Sequence, residues 1–309
     1  MKKFIYASII AILLISCTDF TSPERNTEQQ YYLTGLLVAG KSVDFDNPVI
    51  FGKTISTENG SFVDLFIGGA NVTLYEMNNS GSIQDSVSLF CFPLPIPEIN
   101  DTLFLYIDID QYLTIKPEMS YKIEVKNEDD LVWAVTQVPK SIHVWADSLV
   151  TENSGYTTDP NPPVWPEMVY DTIDLEHPIQ IETQDNDIIN LLIDFYCLEE
   201  WYDARLVHAF GGEEYLEDEE DYENPGDGSP RKTSIFYTFL PNDNLVNFSF
   251  YQYAFVFYGR YEVTVKSIDD NYLHYIYKPE GYNYGGINGG IGYFGSASSS
   301  KIYTKIVEE

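Results

Sequence analysis

Alternation of apolar and polar positions with a period of two runs through most of the chain. In "YKIEVKN", Tyr121, Ile123 and Val125 share one face while Lys122, Glu124 and Lys126 share the other. "NVTLYEM" turns Val72 and Leu74 inward and Thr73 and Tyr75 outward, and "RYEVTVKSI" repeats the device with Tyr261, Val263 and Val265. Comparable runs predict strands at Tyr32–Ala39, Thr102–Ile107, Leu131–Val138, Ile235–Leu240, Asn247–Phe257 and Lys301–Val307. β-branched and aromatic residues suit such pleated, half-buried surfaces. Many short strands separated by Gly, Asn and Pro turns predict a mainly β chain of sandwiches or barrels, not α/β units.

Two segments need separate treatment. "DNDIINLLIDFYCLEEW" fits a strand and also a helix, because Ile188, Ile189, Leu192, Ile193 and Tyr196 recur at helical spacing; the strand is favoured. "SIDDNYLHYIYKPE" predicts a short helix. Ser267 or Asp269 can accept from the free N–H groups at its start, Asp270 suits the positive end, and Pro279 stops it. "TENSGYTTDPNPPVWPE", residues 151–167, is polar and proline-rich without alternation, so 141–170 reads as a linker or inter-domain loop. The predicted division is then a β-sandwich domain over 31–140 and a second β-rich domain with a short helix over 171–309.

The first thirty residues belong to no strand. Lys2 and Lys3 precede an apolar run from Phe4 to Ile15, too short for a spanning helix of about 20 residues. Leu14-Ile15-Ser16-Cys17 matches the bacterial lipobox. Residues 1–16 therefore read as a lipoprotein signal peptide, with Cys17 lipidated through its thiol and, after cleavage, acylated (palmitate) at its amino group. Several acyl chains anchor a protein stably where one alone is marginal. Residues 17–30, polar and without period, read as a flexible tether. Asp19 stands at +3 from the cysteine and not at +2, so the expected location is the outer membrane, facing the periplasm or the surface.

Charge narrows the partners. The chain carries 48 acidic against 17 basic residues, a formal charge of −31, and loss of the leader removes two lysines more. Such a field disfavours nucleic acid and suits cations or basic partners. Glu213 to Glu223 holds eight carboxylates in eleven positions, which makes Glu217, Asp218, Glu219, Glu220 and Asp221 candidate calcium ligands. The EF-hand order is absent, and like-charge runs are usually solvated loops. No other cofactor is expected: there is no CxxC and no HExxH, GxSxG or P-loop motif, and His143, His177, His208 and His274 are scattered. Cys91 and Cys197 remain after lipidation; Cys197 falls on the apolar parity of its strand, so a buried thiol is preferred to a disulfide. "FSFYQYAFVFYGRY" is aromatic on both strand faces, which makes Tyr251, Tyr253, Phe255 and Phe257 a candidate contact surface, with core packing as the default. "GYNYGGINGGIGYFGSASSS" reads as a glycine-rich loop leading into the last strand.

Taken in order, the lipobox at Cys17, "YYLTGLLVAG", "GGANVTLYE", "LTIKPEMSYKIEV" with "AVTQVPKSI", "DDNYLHYIY" and "NGGIGYFGSAS" resemble a family of bacterial envelope lipoproteins built on a domain of unknown function. The resemblance implies an immunoglobulin- or transthyretin-like sandwich in the first half and an accessory role beside a TonB-dependent outer-membrane receptor. It supplies no catalytic residues. The triplets starting at Asp85, Asp101, Asp147 and Asp171 also resemble an envelope O-glycosylation sequon. The expected function is a lipid-anchored, non-enzymatic binding or accessory component. Two alternatives stay open: a carbohydrate-active enzyme using paired carboxylates, and a glycan-binding surface adhesin.

Overall fold

A computed structural model describes residues 29–54, 65–78, 80–96, 101–145, 155–173, 179–182, 190–199, 205–210, 231–239, 245–246 and 252–309. The signal peptide, the tether, Cys17, Tyr251 and the acidic stretch 213–223 lie outside them.

The described chain is mainly β, as its alternation predicts. The first half carries β1 (Tyr31–Val38), β2 (Val49–Lys53), β3 (Asn71–Met77), β4 (Ile83–Ser88), β5 (Phe90–Ile96), β6 (Asp101–Ile107), β7 (Ser120–Asn127) and β8 (Asp130–Gln137). Then come β9 (His143–Trp145), β10 (Tyr156–Thr157), β11 (Glu167–Val169), β12 (Ile179–Glu182), β13 (Asn190–Cys197), β14 (Arg205–Leu206), β15 (Arg231–Phe239), β16 (Leu245–Val246) and β17 (Phe257–Ile268). The helix α1 (Asp270–Tyr277) follows, with β18 (Ile287–Asn288) and the long β19 (Ile291–Val307).

The largest sheet runs β15-β13-β17-β19-β1-β2-β6-β5. Its β19-β1-β2-β6-β5 end faces the sheet β18-β8-β7-β3-β4, and between them lie Leu33, Phe51, Leu74, Tyr121, Ile123 and Phe294. The other end covers β16-β12-β9 and encloses a second core with Ile181, Ile193, Phe195, Val263 and Ile302. Two β-sandwiches thus share one continuous sheet.

β19 is the shared element. From Ile291 to Ala297 it pairs in parallel with β1, Tyr32 opposite Ile291 and Val38 opposite Ala297. From Ala297 to Ile306 it pairs antiparallel with β17. While 281–290 is a short 3-10 turn and loop around β18, the second half of the glycine-rich segment read as a loop, 291–300, is therefore part of a 17-residue strand. Its small residues answer to crowding. A Cβ on Gly292 would stand 2.2 Å from the Leu33 carbonyl oxygen, at a φ of +111°, and one on Gly295 would stand 2.6 Å from Tyr272 Cβ.

Short stretches of the segment read as a linker or inter-domain loop join the sheets. β9 pairs with β12, β10 and β11 pair with β19, and Tyr156, Met168 and Tyr170 are buried in the second core. Proline and polar composition concealed this, because the strands are only two or three residues long and no alternation can develop. β13 explains its own ambiguity: Leu191 to Phe195 are all fully buried, on both faces. Leu191, Ile193 and Phe195 enter the second core, Leu192 packs with Ile268, Ala297 and the apolar side of α1, and Asp194 is ion-paired with Lys266.

The helix starts where predicted. Asp269 Oδ1 accepts from the Tyr272 and Ser296 N–H groups, while Thr136 Oγ1 donates to Oδ2 at 2.6 Å. One cap therefore joins α1, β8 and β19. Cys91 and Cys197 are not disulfide-bonded, since they stand in different sandwiches.

Candidate functional site

At one end of the second sandwich, the start of β17 is fixed from within. Tyr261 Oη accepts the Phe257 N–H at 2.9 Å and donates to the Phe257 carbonyl at 3.0 Å. The Tyr261 ring is buried and meets Phe255 edge-on, and Phe255 meets Phe195 likewise. Tyr258, next along the strand, is only half-buried. β14 pairs with β17 there, Arg205 opposite Tyr258, and the chain then turns through a short 3-10 segment beginning at His208. A second such turn, Tyr170–Thr172, follows β11 and supplies Tyr170 and Asp171.

These four short elements bring together side chains far apart in sequence. His208 Nδ1 lies 2.9 Å from Tyr258 Oη, and His208 Nε2 lies 3.2 Å from Asp171 Oδ1. The Arg205 guanidinium sits 4.7 Å over the Tyr258 ring and is ion-paired with Glu308. Tyr170 meets the imidazole edge-on at 5.3 Å, and Gln252 Nε2 donates to the Tyr170 carbonyl at 3.0 Å. The Tyr170 residue is 2% exposed, and its hydroxyl has no hydrogen-bond partner among the described residues. Burial pushes that hydroxyl up to about 12, with Tyr253, Asp171 and Tyr258 adding to the effect. The imidazole is open to solvent, its side chain 56% exposed.

The predicted contact surface is corrected here. Gln252–Ala254 form a turn and not a strand, and Phe255 and Phe257 are 0% and 1% exposed, so both belong to the core. Tyr253, at 68% exposed, does face solvent, beside Tyr170. Sequence reading passed over the other members. His208 stands 50 residues from Tyr258, and no local spacing links either to Asp171. Among the described residues no group of three or more His, Cys, Asp and Glu side chains is placed to hold a metal.

A second exposed group lies beside α1. Tyr277, Tyr282 and Tyr284 are about half exposed, Lys278 Nζ lies 4.9 Å over the Tyr284 ring, and the Tyr275 ring lies 4.4 Å from that of Tyr293 of β19, tilted by 38°.

No family model matches the sequence, and no curated protein matches it. Among solved structures, the chain is similar to the trypsin-activated alpha-2-macroglobulin of Escherichia coli, at 10% identity over 79% of this chain and a TM-score of 0.18. A Salmonella alpha-2-macroglobulin variant gives 12% identity over 94% and 0.21, and a bacterial ice-binding adhesin 7% over 93% and 0.16. The chain spans 14% of the Escherichia coli protein, 16% of the Salmonella one and 67% of the adhesin. At these scores the likeness carries no argument about this chain.

Proposed function

We propose that this protein is a lipid-anchored component of the bacterial envelope that binds a partner without catalysing a reaction, beside an outer-membrane receptor or transporter. Cys17 holds it to the outer membrane, and the aromatic end of the second sandwich is its contact surface. The observation that carries the reading is Tyr253. A large, mostly exposed tyrosine lies near Tyr170, whose ring meets His208 and Tyr258 edge-on. Aromatic anchors on preorganised supports are what protein interfaces use at their energetic centres. The acidic chain favours a basic face on the partner.

The test is affinity capture of the tagged, lipidated protein from gently solubilised outer membranes, with mass spectrometry of what accompanies it. A stoichiometric receptor is expected, reduced at least about tenfold by Tyr253→Ala, the loss of one aromatic hot spot. Recovery of the protein alone, or of a receptor indifferent to Tyr253→Ala, overturns the reading.

A further inference from the structure

β4 ends the five-stranded sheet: β3 pairs with it along one edge, and among the described residues no strand lies along the other. The triplet Asp85-Ser86-Val87 lies within it, and each residue has a separate place. Val87 packs against the first core. Ser86 stands opposite Tyr75 on the outward face and is exposed, as is Asp85. The Leu89 N–H donates to the Val72 carbonyl at 2.9 Å, so by alternation the Ser86 N–H points to the open edge. There it donates to Asp85 Oδ1 at 2.8 Å, which holds the carboxylate beside the serine. No hydrogen bond among the described residues engages Ser86 Oγ. The other triplets of this pattern are placed differently. Thr102 is half-buried on β6, which pairs with β5 along its length. Asp171 lies 3.2 Å from His208, and Ile173 is 0% exposed. Asp147 lies outside the described residues.

We propose that Ser86 Oγ is an O-glycosylation site, the acceptor for a sugar carried as a polyprenyl-linked phosphate ester and transferred by an envelope glycosyltransferase. The inference rests on the envelope location proposed above and is independent of Tyr253. An acceptor that is already extended and open along one edge enters an enzyme groove by strand addition, without unfolding. In the transfer, the bond from the anomeric carbon to the phosphate oxygen breaks and the phosphate keeps the electron pair. The bond from that carbon to Oγ forms, and the Ser86 proton passes to a base of the transferase; nothing is oxidised or reduced. Asp85 singles out this hydroxyl. Ser88 is exposed on the same strand and the same face, but it follows Val87. A bulky, hydrated sugar here also shields the open edge, where Ile83 is 58% exposed, from pairing with another chain.

Intact-mass and fragmentation mass spectrometry of the full mature chain, purified from the envelope of its own host, tests this. A mass increment of whole sugar residues is expected on the peptide carrying Ser86. Ser86→Ala should remove it completely, and so should Asp85→Asn, which keeps an acceptor for the Ser86 N–H but loses the charge. Ser86→Thr and Ser88→Ala should retain it, and thermal unfolding of Ser86→Ala, an exposed position, should match wild type. A chain lipidated at Cys17 but free of sugar overturns this proposal and leaves the envelope reading standing. A chain with neither overturns both, while sugar on Ser86 of an unlipidated chain supports the site and overturns the anchor. Sugar that survives Ser86→Ala also overturns the proposal, because it then sits on another hydroxyl.

Discussion

At the scale of single residues, the chain spends its polar groups on joining elements. Asp269 is a helix cap, yet it also receives Thr136 from β8 and the Ser296 N–H from β19, so one carboxylate serves three elements. Its capping role was visible in "SIDDNY"; its distant partners were not, because no spacing rule links residue 136 to 269. Glu199 and Arg260 form a similar staple beside the candidate site, with bonds of 2.8 Å from both the Arg260 N–H and its Nε. Burial alone would raise the Glu199 carboxyl, but the Arg260 bonds outweigh it and hold the group below its ordinary value. The pair's stabilisation is therefore present above the unfolded carboxylate value and is lost as pH falls through the lower folded one. Because the Arg260 side chain is 44% exposed, the gain is at most about 1 kcal/mol. Urea unfolding of wild type and Glu199→Gln should differ by that amount at neutral pH and converge in acid.

At the scale of elements, strands that alternate were legible and strands with two covered faces were not. β3, β7 and β8 have one face in the first core and read plainly from their period. β13 is apolar throughout, so period alone left it between strand and helix. The first half of β19 is harder still. It pairs closely with β1 along one edge and has α1 against it, so glycine, alanine and serine are what fit, and such a composition resembles a loop. Within it Phe294 fills the first core, touching Gly35 of β1 at 3.3 Å from where a Cβ would lie. Phe294→Ala should cost about 3–5 kcal/mol, the usual loss for a buried aromatic. Denaturant unfolding followed by tryptophan fluorescence measures it. A loss below about 1 kcal/mol would mean that the first sandwich does not depend on this strand.

At the scale of the whole molecule, the division at 141–170 looked natural because composition changes there, and composition is blind to pairing between distant strands. The candidate site was hidden for the same reason: Asp171, His208 and Tyr258 meet only once β11, β14 and β17 have assembled. A fragment spanning 31–140 tests how independent the first sandwich is. It lacks Phe294 and exposes the edge of β1 that β19 covers. The expectation is a chain without fixed tertiary packing, seen as lost near-ultraviolet circular dichroism with far-ultraviolet signal partly retained. A cooperative thermal transition in the fragment would overturn it.

The pairing of β1 with β19 also sets an order of events. Residue 32 meets residue 291, among the most distant contacts this chain makes. Contacts so far apart close slowly, because the loop entropy is lost before any packing compensates it. When the chain emerges amino end first, Leu33 and Phe51 have to wait for Phe294 to arrive before their core can shut. During that interval the first half is open to chaperones and proteases, and a chain cut short before residue 291 stays open. The integrity of the amino-terminal sandwich is in effect a check that the far end has been delivered.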